Sequence, residues 1–206
     1  GLDTSFSGDG KVTTDIGGYW DQAYSMAVQA DGKIILAGMA SGNPSSVSDF
    51  ALIRYNTDGS LDTSFDSDGK VVTSAGYYQE GLSSVVVQSD GKILAAGFGG
   101  DGPGGTVDDF VLLRYNGNGS LDTGFGGNGI VVTDFSGMPD IANAIAVQQD
   151  GKIIVAGSTN NDFAVVRYRT DGSLDDGFGV GGKVTTGLPS GYARSIVIQA
   201  DGKILV

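Results

Sequence analysis

The sequence predicts an all-β protein, a β-propeller or a segment of one, built from four-stranded antiparallel blades. Short motifs recur along the chain: LDTSF and its variants start at residues 2, 61, 121 and 174, which are intervals of 59, 60 and 53 residues. Asp-Gly-Lys starts at residues 31, 90, 150 and 201, intervals of 59, 60 and 51 residues. Each repeat holds four short apolar or β-branched segments. A long period with four strands per repeat is typical of propeller blades.

Each strand of the repeat is identified by its pattern of apolar residues. The first strand, at residues 23–29, is apolar or small on both faces, and the second, at 33–38, is a continuous apolar run of the kind covered on both sides. In the third, at 49–56, successive side chains point to opposite faces of the strand. The fourth, at 11–15 or 70–74, is short, β-branched and polar, as edge strands are. Burial is therefore expected to fall from an inner first strand to an outer fourth strand.

Asp-Gly joins the first and second strands of every repeat, and it predicts a two-residue type I′ hairpin turn. The hairpin argues against a parallel β-helix, and the long period favours a propeller over a sandwich. The predicted structural turn residues are Asp31, Gly32, Asp90, Gly91, Asp150, Gly151, Asp201 and Gly202.

The combined pattern of LDTSF, QADGKIILAG and DFALIRY covers essentially the whole chain and resembles the delta-60 repeat, a β-propeller family of large bacterial proteins. The resemblance implies a propeller and a secreted or cell-surface location in a bacterium. It implies no catalytic residues, because the family has no defined biochemical activity. The motifs divide the chain into one array of approximate units, residues 1–60, 61–120, 121–173 and an incomplete 174–206.

Composition excludes several classes of function. The formal net charge of −12 repels phosphate backbones, so nucleic acid is not an expected partner. No apolar run is long enough to span a bilayer, so no membrane insertion is expected. The chain contains no cysteine and no histidine, which excludes disulfides, thiolate or imidazole zinc sites and Ser-His or Cys-His nucleophile pairs. No cofactor is predicted.

The predicted strand order separates two faces of the array. The repeated face carries the Asp-Gly-Lys turns and the connections between third and fourth strands, which hardly change between repeats. The variable face carries the crossovers between blades and the loops at residues 41–48, 99–108 and 158–161, which differ in sequence and length. A residue needed in every blade is expected to serve the fold, so candidate functional residues are sought on the variable face.

Two repeated features of the repeated face are predicted to be structural. One arginine precedes the tyrosine of each third strand, and it is expected to bind backbone carbonyls or an acid between blades. These arginines are Arg54, Arg114 and Arg167. Leu61 and Phe65 are expected to lie on one side of a helical turn that Ser60 caps. Their side chains are expected to pack under the blade as a hydrophobic plug.

The crossovers supply the candidate ligand-binding residues. Aromatic rings beside glycine, aspartate and glutamine offer an apolar face with a polar tip, as sugar-stacking sites do. Covering the end of a blade interface is the alternative role for these rings. The candidates are Tyr19, Trp20, Tyr77, Tyr78, Glu80, Phe135 and Tyr192. The expected partner is a glycan or another surface protein.

Acidic residues raise two further hypotheses. Asp66 and Asp68 resemble part of a calcium loop, but the full EF-hand spacing with its terminal glutamate is absent, and turn chemistry explains both residues equally well. A pair of acids on the variable face would be needed for glycoside hydrolysis. The candidates are Asp21, Glu80, Asp101, Asp108 and Asp140, and the sequence brings no two of them together.

The sequence therefore predicts a non-catalytic recognition or adhesion module that uses its variable face. A purely structural array in an envelope or filament is the first alternative, and a carbohydrate-active enzyme is the second. Residues 11–15 are candidates to join the last blade and close a ring of four, although this ring would lack one third strand. Additional repeats or self-association would otherwise cover the apolar faces of an open array.

Overall fold

The structure, a computed structural model, describes residues 1–42, 47–100, 108–135, 137–187 and 191–206, and its regular elements in these ranges are all β-strands. The strands are β1 (Trp20–Val28), β2 (Ile34–Ser41), β3 (Asp49–Tyr55), β4 (Lys70–Thr73), β5 (Gln79–Val87), β6 (Ile93–Gly100), β7 (Asp108–Tyr115), β8 (Ile130–Thr133), β9 (Asp140–Val147), β10 (Ile153–Thr159), β11 (Asp162–Tyr168), β12 (Lys183–Thr185), β13 (Val197–Ile198) and β14 (Ile204–Leu205).

The first twelve strands form three four-stranded antiparallel sheets, each in chain order. The first blade is β1-β2-β3-β4, the second β5-β6-β7-β8 and the third β9-β10-β11-β12, while β13 and β14 form a separate two-stranded sheet. This order confirms the predicted blades. It also confirms that β4, β8 and β12 lie at outer edges, next to only one strand of their own sheet.

Neighbouring blades pack face to face. β5 lies across β1, β2 and β3 of the first blade, and β9 lies across β5, β6 and β7 of the second. One repeated position shows what this contact buries: Val85 and Ile145 are 5% and 6% exposed, whereas Met26, at the same position of the first blade, is 62% exposed. Each blade therefore buries this face only where a preceding blade covers it.

The Asp-Gly turns form hairpins as predicted, but the predicted type I′ geometry is wrong. A type I′ turn needs positive φ at both central residues. Here the glycine alone is left-handed, with φ of +83° at Gly32, and the aspartate is not. Gly32 N–H donates to the Gln29 carbonyl, and Asp31 Oδ1 accepts from the Lys33 N–H. The loop is therefore a wider turn with a glycine bulge, which the aspartate side chain stabilises.

The glycine that ends the QADGKIILAG motif lies within the second strand and faces a bulge in the first strand. The register shifts between Ala23 and Ser25, and between Leu82 and Ser84. Gly38 and Gly97 lie opposite these shifts, and a Cβ on either glycine would stand 1.8 Å from a backbone carbonyl oxygen of the neighbouring strand. This close approach gives the final glycine of the QADGKIILAG motif a role that the sequence alone does not reveal.

An ion cluster ties the repeated face together. Asp62 Oδ2 accepts from Arg54 Nε at 2.7 Å and from Lys33 Nζ at 2.8 Å, and Arg54 also donates to the Gly117 carbonyl of the second blade. The Arg54 guanidinium lies 4.5 Å from the centre of the Phe65 ring, which is fully buried. The arginine thus binds an acid of its own blade and a backbone carbonyl of the next, which are contacts of the predicted kind.

The predicted helical turn after the third strand is wrong, although the buried Phe65 plug is confirmed. Phe65 N–H donates to the Asp62 carbonyl, and Asp62 Oδ1 accepts from the Ser64 N–H, so a tight turn held by Asp62 replaces the helical turn. Asp62 rather than Ser60 caps the turn, because the Asp62 side chain bonds the backbone two residues ahead, whereas the Ser60 hydroxyl donates to Asp58 Oδ1.

The two ends of the described structure leave apolar faces uncovered. Residues 1–18 lie along the first blade without joining a sheet, held by Ser7 N–H on the Asp58 carbonyl and by Thr14 on the Tyr55 hydroxyl. They do not pair with β14. At the other end, Leu205 is 52% exposed, whereas Ile35, at the same repeated position, is fully buried.

Candidate functional site

The structure places the two predicted faces on opposite ends of the blades. On the repeated face, the turn residue Lys33 reaches Asp62 in the connection between third and fourth strands. On the variable face, the crossover into the second blade bonds the start of β3: Ser48 N–H donates to the Tyr78 carbonyl, and Glu80 N–H donates to the Ser48 carbonyl. The loops on the variable face are thus fixed to one another by backbone contacts across two blades.

A small apolar pocket opens on the variable face in the groove between the first two blades. Its volume is about 120 Å³. The residues that line it are Trp20, Met39, Ser41, Ser48, Gln79 and Phe98. Trp20 is half exposed, so its ring forms one wall while remaining accessible to solvent. Two buried serines and the exposed Gln79 add polar groups to a lining that is otherwise apolar, the composition expected of a ligand pocket.

The pocket is built at positions where the repeats differ. Met39, Phe98 and Ser158 occupy one position, each paired with the phenylalanine of its third strand. Trp20 occupies the position of Gln79 in the next repeat, since each precedes the first-strand acid by one residue. Comparing the repeats position by position would have singled out Met39 and Phe98. Their convergence with Trp20 requires the packing of two blades.

The other crossover aromatics are distributed around the variable face rather than gathered in one site. Tyr19 is 65% exposed. Tyr192 is 47% exposed, and its hydroxyl donates to Asn161. Tyr78 is half buried, and its backbone carbonyl is bound by Ser48.

Two of the predicted aromatics make extensive packing contacts. Tyr77 is half buried against the core between the first two blades, where its ring covers Gly99. Phe135 packs edge-to-face on Phe110 at 5.2 Å, with Lys183 Nζ 5.2 Å from its ring centre. Of the predicted aromatics, Trp20 lines the pocket described above.

The first-strand acids bind the backbone of the crossovers. Glu80 Oε1 accepts from the N–H groups of Ala75 and Tyr77, and Asp21 and Asp140 accept in the same way in their own crossovers. Glu80 and Asp140 are fully buried, and burial raises the pKa of both carboxyls. These contacts explain why an acid recurs at this position.

The remaining acidic candidates lie apart from the pocket. Asp66 and Asp68 are exposed turn residues; Asp66 has φ of +47°, and Asp68 Oδ1 accepts from the Lys70 N–H. Asp108 is half buried at the start of β7, and burial raises its pKa. Asp101 lies outside the described residues.

Among the described residues, no helix is long and apolar enough to cross a bilayer. A search of curated protein sequences found no match. A family model described as a domain of unknown function (DUF5122) beta-propeller matches residues 29–65, 88–125 and 148–178, together more than half of the chain. Each matched segment runs from the Asp-Gly turn through the second and third strands to the LDTSF motif.

Two solved structures are similar in fold. Virginiamycin B lyase from Staphylococcus aureus aligns over 91% of this chain with 11% identity and a TM-score of 0.51, and the chain spans 49% of that structure. A gluconolactonase from Xanthomonas campestris aligns over 86% of this chain with 14% identity and a TM-score of 0.34, and the chain spans 65% of it. At this identity the first likeness supports the fold alone, and the second adds nothing to it.

Proposed function

Because the chain belongs to the DUF5122 β-propeller family, the delta-60 repeat family, we propose that it is a non-catalytic recognition module of a bacterial surface or secreted protein. The ligand site is the groove on the variable face between the first and second blades. One observation carries the proposal: a half-exposed tryptophan lines an apolar pocket whose residues are not shared between repeats. A residue that serves only the fold would be expected in every blade.

The chemistry of the pocket fits one sugar ring of a glycan. A tryptophan ring packs against the apolar face of a sugar, while the exposed Gln79 can bond its polar edge. A volume of about 120 Å³ is small beside the pockets that enclose drug-sized ligands, so the pocket holds one ring or side chain of a longer ligand. The net charge of −12 favours neutral or cationic ligands over anionic ones.

Burial of the acids supports the non-catalytic part of the proposal. Glu80 and Asp140 are closed off from solvent, and each bonds the backbone of its crossover. An acid that transfers a proton to a glycosidic oxygen must come within hydrogen-bond reach of the substrate. Glycan turnover that is abolished by Glu80→Gln would overturn this part of the proposal.

We expect Trp20→Ala to weaken glycan binding by at least about 30-fold, the effect of losing a buried aromatic anchor worth about 2 kcal/mol. Glycan-array screening followed by calorimetry of the strongest binder measures the change. Tyr192→Ala is the matched control, because Tyr192 is a comparably exposed aromatic, 47% against 50%, that does not line the pocket. Unchanged affinity in Trp20→Ala, with Tyr19, Tyr77, Tyr78, Phe135 and Tyr192 also replaceable without effect, would exclude the site.

A structural array is a second candidate function, and the uncovered ends favour it. Met26 and Val28 lie on the free face of the first blade, and both are more than half exposed. A cleft of about 120 Å³, lined in part by Val12, Leu36 and Ile53, separates residues 1–18 from the same face. Since each blade buries this face against the preceding blade, we propose that the end of a second copy covers it, head to tail.

The second copy would bring Val197 and Leu205, which are 57% and 52% exposed, to this face. A head-to-tail contact is heterologous, so it builds rings or open chains. We expect concentration-dependent association.

We expect light scattering to show that the average mass rises with concentration for the wild-type chain and stays at the monomer value for Met26→Glu, because the new charge would be buried at the joint. Val180→Glu is the control, since Val180 is 87% exposed and the charge change is the same. A wild-type chain that stays monomeric at every concentration would contradict this second proposal.

A further inference from the structure

We propose that Asp109, Asp134 and Asp140 bind one divalent cation, with calcium preferred, at the junction of the second and third blades. The three residues come from β7, from the crossover after β8 and from the start of β9. This site is separate from the Trp20 pocket and does not depend on the proposed recognition function.

The spacing of the three carboxylates fits a single ion. One oxygen from each residue lies within 4.8 Å of those of the other two. Calcium binds oxygen ligands at about 2.3–2.6 Å, so two ligands on opposite sides of the ion stand about 4.6–5.2 Å apart. Separations below this limit are compatible with all three carboxylates contacting one calcium ion. Water or nearby carbonyl groups would complete the six to eight ligands that calcium takes.

A buried oxygen without a partner points to a ligand at this place. Asp140 is fully buried; its Oδ2 accepts from the Phe135 N–H, but its Oδ1 has no hydrogen-bond partner. A buried carboxylate oxygen that lacks a partner is costly, and metal coordination is one way in which proteins satisfy it. Exposure increases from Asp140 through Asp109 to Asp134, so an ion can reach the buried oxygen from solvent.

The charges around the cluster leave an excess of negative charge. Lys183 is the cation that faces it, and its Nζ donates to the Asp134 backbone carbonyl at 2.5 Å. Three carboxylates against one ammonium give a net charge of −2 when all are ionised. A divalent cation would neutralise this excess.

The junction of the first and second blades provides an internal comparison. At the corresponding positions it has Asp49, Ser74 and Glu80, that is two carboxylates and one hydroxyl. Glu80 is also buried with one oxygen, Oε2, without a partner. Within the described residues, three carboxylates come together only at the junction of the second and third blades. Asp134, which replaces the serine of the first junction, is therefore the residue that distinguishes the two junctions.

Calorimetric titration of calcium into the chelator-treated protein tests the site. We expect one calcium ion per chain in the wild type and at least about 10-fold weaker binding in Asp134→Ser, which copies the first junction. Asp134→Asn is the second variant, because it keeps the shape and the acceptor for the Gly137 N–H while it removes the charge. Asp68→Ser is the matched control, since Asp68 is an exposed turn acid outside the cluster, and it should bind calcium as the wild type does.

Thermal unfolding provides the second readout. Calcium at about 100 times its dissociation constant shifts the folding equilibrium of the wild type about 100-fold, which raises Tm, and at the same concentration it should shift that of either Asp134 variant by no more than about 10-fold. Magnesium should give a smaller shift, because its bonds to oxygen are shorter and it dehydrates reluctantly. The absence of calcium binding at millimolar concentration would overturn the proposal, as would unchanged binding in both Asp134 variants or loss of binding in Asp68→Ser.

Discussion

Replacing Asp122 with alanine is expected to lower the free energy of unfolding by about 3–5 kcal/mol, because it removes one partner of a buried ion pair and leaves the other without compensation. Asp122 is 9% exposed, and its Oδ2 lies 2.7 Å from both Arg114 Nε and Lys92 Nζ. Arg114, 8% exposed, also donates to the Thr170 carbonyl of the third blade. The substitution therefore disturbs the contact between two blades as well as the turn.

Urea unfolding at neutral pH measures this loss, with Asp176→Ala as the control. Asp176 pairs with Arg169, but its side chain is 76% exposed, so removing it should cost less than about 1 kcal/mol. Equal effects of the two substitutions would contradict the account of the buried cluster.

Asp122 also makes the free energy of unfolding depend on pH, in a direction that follows from its pKa. The Lys92 ammonium, opposed by burial and aided by Arg114, lowers the pKa of Asp122 to about 2. Because the folded pKa lies below the unfolded value of about 3.9, the stabilisation is complete above pH 4 and is lost as pH falls towards 2. The pKa values of Asp62 and Asp175 are lowered as well. The wild type should thus lose more stability than Asp122→Ala between pH 4 and pH 2.

Replacing Gly97 with alanine is expected to destabilise the protein by at least about 3 kcal/mol, the upper end of the usual cost of overpacking. The new Cβ would stand 1.8 Å from the Gly81 carbonyl oxygen and 2.8 Å from its carbon. Both atoms are backbone, so no side-chain rotation can relieve the overlap. The bulge between Leu82 and Ser84 would have to move, and with it the strand that packs on the first blade.

Gly117→Ala separates this steric effect from the general effect of removing a glycine. Gly117 does not have positive φ, and a Cβ there would meet only the Gly91 carbonyl oxygen at 3.5 Å. Its substitution should change the free energy of unfolding by no more than about 1 kcal/mol. Chemical denaturation of both variants provides the comparison, and a Gly97→Ala protein as stable as Gly117→Ala would show that the bulge is not rigid.

The features that repeat in every blade were the predictable part of the fold. Arg54 and its equivalents, the buried Phe65 and the Asp-Gly hairpins recur at fixed spacing, so the sequence alone marks them as structural. Their detailed geometry was less predictable. Both the turn at Asp31 and the turn before Phe65 depend on an aspartate side chain that bonds the backbone two residues ahead, and several turn types offer such a bond.

The candidate sites depend on contacts between blades, which the sequence pattern does not specify. Trp20 was singled out as the only tryptophan, but its partner Phe98 is remote in sequence and joins it only when two sheets pack. Asp109, Asp134 and Asp140 likewise come from two blades. Periodicity identifies which residues face a neighbouring blade, whereas the exact register between two sheets decides which of them meet.

The separation of a structural face from a recognition face is the central claim, and mapping of backbone amide shifts by NMR tests it most directly. A glycan identified by array screening is titrated into the isotope-labelled protein. The account predicts that the perturbed amides cluster at Trp20, Met39, Ser41 and Gln79 on the variable face. Perturbations centred on the Asp-Gly-Lys turns of the repeated face would contradict it.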